Sequence, residues 1–252
     1  MAIISFANQK GGVGKTTSAV NVAACMGKKG KNVLLIDMDP QGNATSGVGI
    51  SKKNIKHSIY DVLVGEVGIK EAILQTKFRN LSVIPSTIAL AGAEFDLNEM
   101  DEKGRGMANL LADIKDEYDY IVIDCPPTLG LLTINALSAS NGVVIPMQCE
   151  FFSLEGLSQL IMTIKRVRQS YNPSLEISGI LLTMYNGRLV LTNQVIEELK
   201  KYYSDKLFKT PISRSVKLSE APSFGEPICY YDPYSKGSLE YADVAKELMM
   251  LI

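Results

Sequence analysis

The chain has 252 residues, 46% hydrophobic and 21% charged, with a formal net charge of −1. That is a globular balance with material for a large core and no net electrostatic pull toward nucleic acid. No apolar run of about 18 residues marks a membrane span. Four separated cysteines, Cys25, Cys125, Cys149 and Cys229, form no C-x-x-C pair, which speaks against a zinc site and for reduced thiols.

Apolar runs alternate with helical patterns along the whole chain. Strands are predicted at 2–7, 32–37, 80–85, 119–124, 142–147, 177–183 and 207–212. Helices are predicted at 15–28, 57–65, 69–75, 104–117, 130–139, 154–171, 189–203 and 236–251. The runs at 32–37 and 119–124 lack polar alternation, as expected of central parallel strands covered on both faces. The fold class expected is α/β, a doubly wound, mostly parallel sheet with helices on both faces. No repeat or linker interrupts it, so residues 1–252 read as one domain. The first strand begins at Ala2, so no signal peptide is expected.

The first strand runs into Asn8-Gln9-Lys10-Gly11-Gly12-Val13-Gly14-Lys15-Thr16-Thr17 and then a helical pattern. Strand, glycine loop and helix form the context of a phosphate-binding loop. Glycines let backbone N–H groups from Lys10 to Thr17 turn toward phosphate oxygens, and the helix N-terminus adds partial positive charge. Lys15 would reach the β- and γ-phosphates, and the Thr16 hydroxyl would ligate Mg²⁺. The standard loop would need glycine at position 9; here Gln9 stands there and a second lysine, Lys10, precedes the glycines. That is the deviant Walker A pattern of a P-loop NTPase. Two expected strands end in aspartate, at Asp37-Met38-Asp39-Pro40 and at Asp124-Cys125-Pro126-Pro127. Strand ends of this kind face the ligand in open α/β sheets. Asp124 is the candidate Walker B metal support. Asp39 is a candidate for orienting the attacking water and for the metal site, the alternative being that it only stabilises an Asx turn.

These residues together resemble the ParA/Soj family of partition ATPases. The resemblance rests on the P-loop, on Asp37-x-Asp39-Pro40-Gln41-Gly42-Asn43, on Asp124-Cys125-Pro126-Pro127, and on segments such as Gln148-Cys149-Glu150 and Leu218-Ser219-Glu220-Ala221-Pro222-Ser223. It implies ATP and Mg²⁺ as cofactors and slow hydrolysis that a partner stimulates. It implies a homodimer sandwiching two nucleotides, with Gly11 at the interface and Lys10 reaching the other subunit's phosphates. Catalysis would fall to Lys10, Lys15 and Asp39. The adenine would rest near Met184 and the Ser213-Arg214-Ser215 stretch, where the family commonly has Pro-Arg-Asn.

The resemblance further implies non-specific binding to double-stranded DNA by the ATP-bound dimer, and a ParB-type centromere-binding partner. The charge distribution allows it: residues 164–217 hold ten Lys/Arg against four acids, a net +6, leaving −7 elsewhere. Arg188, Arg214, Lys217 and Lys236 are the candidate phosphate contacts. The expected location is cytoplasmic and nucleoid-associated, with a possible influence on replication initiation. The alternative is a membrane-associated positioning ATPase of the MinD type. The chain ends Leu248-Met249-Met250-Leu251-Ile252, with only Lys246 basic nearby, and reads as core packing rather than an amphipathic anchor.

Overall fold

The computed structural model describes residues 1–99, 104, 106–150 and 152–252. Among these, the strands are β1 (Ala2–Phe6), β2 (Val33–Asp37), β3 (Leu74–Gln75), β4 (Leu81–Ile84), β5 (Tyr120–Asp124), β6 (Gly142–Gln148) and β7 (Glu176–Thr183). They form one sheet in the order β3-β4-β2-β5-β1-β6-β7. All neighbours are parallel except the short β3, which runs antiparallel to β4 at one edge. This is the doubly wound α/β architecture of the P-loop NTPases, as expected from the alternation of elements.

Period-two alternation within the buried strands builds two cores. Ile3, Leu34, Ile36, Ile121 and Ile123 face one way. There they pack against the helices α3 (Ile59–Leu63), α4 (Ala93–Glu99), α5 (Gly106–Ala112), α6 (Leu131–Ala139), α7 (Ser153–Ser170) and α8 (Val190–Tyr203). Ile4, Phe6, Val33, Leu35 and Val122 face the other way. They meet α1 (Lys15–Lys28), α10 (Ile228–Tyr231) and α11 (Lys236–Leu251). Two short helices, α2 (Asn43–Gly47) and α9 (Val216–Glu220), lie at the end of the sheet that carries the strand C-termini.

The winding positions the site. The chain places β5 on one side of β1 and β6 on the other. A crevice therefore opens where the crossovers diverge. In register, Phe6 lies opposite Asp124, and Asp124 opposite Asp37. The P-loop and both aspartate motifs thus leave the sheet at one level.

Three expected elements differ. Residues 207–212 form no strand of the sheet; among the described residues they meet β7 in a single isolated bridge, Ile180 with Leu207, and the Pro211 ring withholds a ladder donor. The helix expected at 69–75 is a single 3₁₀ turn, Ile69–Ala72, followed by β3. The helix expected at 104–117 spans only Gly106–Ala112; Arg105 lies outside the described residues. At the chain end, Leu248 is fully buried, but Met250 is 70% exposed and Leu251 and Ile252 are also exposed, so core packing stops short of the last residues.

The helix after the P-loop sits very close to the turn before β4. A Cβ on Gly27 would lie 2.5 Å from the Arg79 carbonyl oxygen, and backbone cannot yield as a side-chain tip can. Gly27→Val should therefore lower stability by about 2 kcal/mol through overpacking. A urea midpoint equal to that of the unsubstituted chain would contradict this contact.

Candidate functional site

The loop from Asn8 to Gly14 is held open from outside. Asn8 Nδ2 donates to the Pro146 carbonyl at 2.8 Å, and Asn8 Oδ1 accepts the Lys10 N–H at 3.0 Å. Gln148 Nε2, at the end of β6, donates to the Gly12 carbonyl at 2.9 Å. The Thr183 hydroxyl, at the end of β7, donates to the Val13 carbonyl at 2.8 Å. Lys15 Nζ donates to the Lys10 carbonyl at 3.0 Å. With these carbonyls engaged, the N–H groups remain: among the described residues none from Gly11 to Thr16 donates to a loop or turn carbonyl. Gly12 and Gly14 have φ of +72° and +84°, a region closed to most side chains, and Gly14 opens α1. The result is a nest of unpaired donors at a helix N-terminus, which suits phosphate.

Asp124 is fully buried, and neither carboxylate oxygen has a hydrogen-bond partner. Burial raises its pKa well above the usual carboxylate range, and the charge of Asp37 raises it further. The nearby Thr16 hydroxyl and Lys15 ammonium ease the shift, but neither meets the carboxylate in hydrogen-bond geometry. A buried, orphaned carboxylate calls for a cation. With the Thr16 hydroxyl it offers hard oxygen donors, the chemistry Mg²⁺ prefers when phosphates and water complete its shell. No group of three or more His, Cys, Asp or Glu forms a metal cage among the described residues, and a phosphate-bound Mg²⁺ needs none. Lys15 is 6% exposed, and burial lowers its pKa against the opposing pull of Asp124 and Asp39.

Asp37 organises the second motif. Its Oδ2 accepts the Thr45 N–H and hydroxyl, each at 2.7 Å, and its Oδ1 accepts the Asp39 N–H at 3.2 Å. Burial pushes its pKa up to about 6, while these donors hold it down. Asp39 is also buried, and its Oδ1 accepts the Gln41 N–H at 2.9 Å, so the Asx turn is present. The same side chain lines a cavity of ≈ 360 Å³ together with Gly11, Gly12, Gly14, Lys15 and Thr16. Turn formation and a place in the cleft coexist in this one residue.

A second cavity of ≈ 350 Å³ continues from the first, sharing Gly14, Thr17 and Met184 with it. Ser213, Arg214 and Ser215 wall its far end. The cleft is thus polar and glycine-rich at one end and walled by Ile212, Leu218 and Tyr241 at the other, as a nucleotide's phosphates and base require. Met184 holds a left-handed backbone at φ +48°, and its sulfur accepts from Gln148 Nε2 at 3.0 Å. The Ser213 N–H and hydroxyl both donate to Glu240, so these two donors are already engaged within the wall.

The Lys10 side chain is engaged within its own chain. Its ammonium pairs with Glu150 of its own chain. Gly11 is exposed, and a Cβ there would meet nothing within 4 Å. Of the candidate DNA contacts, Arg188, Arg214 and Lys236 surround one cleft of ≈ 460 Å³ with no acid in its lining. Lys217 stands apart, paired with Glu220 at 3.1 Å and lying over the Tyr231 ring. Glu150, Gln148, Thr183 and Glu240 were not among the site residues expected. Their partners lie 140, 136, 170 and 27 residues away in sequence, so only the fold brings them together.

Comparison with known proteins agrees with this geometry. Residues 1–177 match the family described as AAA domain. Over 98% of its length the chain is 55% identical to the sporulation initiation inhibitor protein Soj of Bacillus subtilis, covering 97% of that protein. It is 49% identical to the chromosome partitioning protein ParA of Myxococcus xanthus, over 98% of this chain and 87% of that one. Among solved structures, cobyrinic acid a,c-diamide synthase from Mycobacterium smegmatis with bound ADP and magnesium superposes with a TM-score of 0.87 at 33% identity, covering 99% of this chain and 94% of that one. Identity of this extent over nearly the whole chain makes it a member of the Soj/ParA family of chromosome-partitioning proteins.

Proposed function

We propose that this chain, acting as one domain over residues 1–252, is a DNA-segregation ATPase whose ATP-bound dimer holds DNA and releases it on hydrolysis. The observation that carries the reading is the shared wall: the base end of the nucleotide cleft and the acid-free cleft with Arg188, Arg214 and Lys236 have Met184, Ser213 and Arg214 in common. A nucleotide site so joined to a cationic surface suits a protein whose grip on DNA depends on nucleotide.

ATP would lie with its phosphates in the nest from Lys10 to Thr17 and its base between Met184 and the Ser213–Ser215 wall. Lys15 neutralises phosphate charge at close range, and its burial keeps it fixed there. Thr16 and Asp124 would hold Mg²⁺, with Asp39 within reach of the same region; bound there, the ion would draw charge from the phosphate oxygens. Asp39 orients the attacking water. Lys10 leaves Glu150 when a second copy approaches and reaches that copy's phosphates, acting as an arginine finger does. Exposed Gly11 lies in the same contact, where a side chain would meet only the second copy. The partners are double-stranded DNA without sequence preference and a ParB-type protein that speeds hydrolysis, and the place of action is the nucleoid.

Three substitutions test these assignments. Asp39→Ala should keep ATP-dependent dimerisation and DNA binding yet slow hydrolysis by about a hundredfold or more; unaltered turnover would take Asp39 out of the water-orienting role. Gly11→Val should fold normally and remain monomeric with ATP in light scattering, and an ATP-dependent dimer would move the interface elsewhere. Arg188→Glu should leave dimerisation intact while weakening binding to random duplex DNA, with a salt slope shallower by about one unit. That assay, run with ATP, ADP and no nucleotide beside liposome co-sedimentation, also judges the whole reading. Exposed Met250, Leu251 and Ile252 give the membrane alternative a definite site, and liposome binding without DNA binding would favour the MinD-type function.

A further inference from the structure

The Ser213–Arg214 stretch serves two cavities, and one buried side chain sets its position. Glu240 of α11 is 9% exposed. Its Oε2 accepts the Ser213 N–H at 2.8 Å, and its Oε1 accepts the Ser213 hydroxyl at 2.7 Å. Lys236, one turn earlier on the same helix, approaches Oε1 at 3.7 Å. The next residue, Tyr241, shares a hydrogen bond with Ser18 of the P-loop helix at 3.1 Å. One turn of α11 therefore ties together the base wall, a cation of the basic cleft and the helix that follows the phosphate loop. A proline at position 213 could donate neither bond to Glu240; serine donates both.

We propose that Glu240 is a positioning residue: by holding Ser213 it fixes the wall shared by the nucleotide's base and the DNA-facing cleft, so one clamp sets both base binding and DNA contact by Arg214 and Lys236. The inference rests on the ATP and DNA reading above. A carboxylate that accepts two donors at once defines the orientation of the peptide it holds, and a wall held that way resists displacement from either side. Glu240 itself touches neither ligand; it acts through Ser213.

The test compares ATP with inorganic tripolyphosphate, which occupies the phosphate end alone, on the full chain and its Glu240→Ala and Glu240→Gln variants. Glu240→Ala should weaken ATP binding roughly tenfold and leave tripolyphosphate affinity within about twofold. At saturating ATP its affinity for random duplex DNA should also fall, by at least about threefold. Glu240→Gln should recover most of both losses, because its amide can accept from the Ser213 N–H and donate to the hydroxyl. Should Glu240→Ala fail to fold, Ser213→Ala, which deletes one of the two donors, should weaken ATP roughly threefold and spare tripolyphosphate. Unchanged ATP and DNA affinity, or equal loss of ATP and tripolyphosphate, would overturn the proposal. If the unsubstituted chain binds ATP but no DNA, the partition reading itself falls, and the ATP-to-tripolyphosphate contrast still judges Glu240.

Discussion

The site depends on a carboxylate that the protein alone leaves unsatisfied. Asp124 lies at the end of a central strand, sealed from water, with no donor on either oxygen. An isolated buried charge is among the costliest features a fold can hold. Here the cost is compounded by Asp37, level with it on the next strand. The fold gives Asp37 three donors from the Asp39–Thr45 segment and gives Asp124 none. The two carboxylates are thereby separated by environment: one organises a loop and the other is left without a partner, which suits the cation proposed for it. That asymmetry gives the empty-handed side chain a chemical purpose, and it follows from the strand register that sets the two side by side.

The phosphate loop obeys the complementary constraint. A nest of N–H groups facing inward requires its carbonyls to be occupied elsewhere. Gln148 and Thr183 supply two donors from the ends of β6 and β7, and Lys15 supplies one from within. The loop is therefore shaped by the half of the sheet that also carries the base wall. Displacement of β7's end would move Met184 and Thr183 together, and with them one side of the loop and one side of the base cavity.

What the sequence made legible divides along the same line. The P-loop, Asp39 and Asp124 were readable because their chemistry is local: glycines with positive φ, a lysine and a threonine at fixed spacing, and aspartates ending apolar strands. The central strands were readable because β2 and β5 are buried on both faces and lack alternation. Glu150, Gln148, Thr183 and Glu240 had no local signature, since each acts on a residue brought near by strand order. The 207–212 segment looked like a strand because Leu207, Phe208 and Ile212 are apolar, yet Pro211 withholds a ladder donor and the segment meets β7 in a single isolated bridge. The cation cleft was half legible. The resemblance pointed to Arg188, and Arg214, Lys217 and Lys236 were candidates beside it, but only the loop geometry groups Arg188, Arg214 and Lys236 in one cleft and leaves Lys217 apart.

The two lysines of the loop differ in burial, and that difference divides their work. Lys15 is enclosed and held by the Lys10 carbonyl, so its ammonium has one place to be. The Lys10 side chain is 35% exposed, and its partner Glu150 is 53% exposed. An ion pair so open to water contributes about 0–1 kcal/mol and weakens further with salt. Such a contact keeps Lys10 ordered in the single chain yet yields readily to a phosphate, which carries more charge and sits in a drier place. A buried Lys10 pair would resist the exchange, and an unpaired Lys10 would have to be ordered at the moment of contact. In the proposed dimer, the weakness of the Lys10–Glu150 pair would let a lysine five residues from Lys15 belong to one subunit at rest and reach another subunit's phosphates once two copies meet.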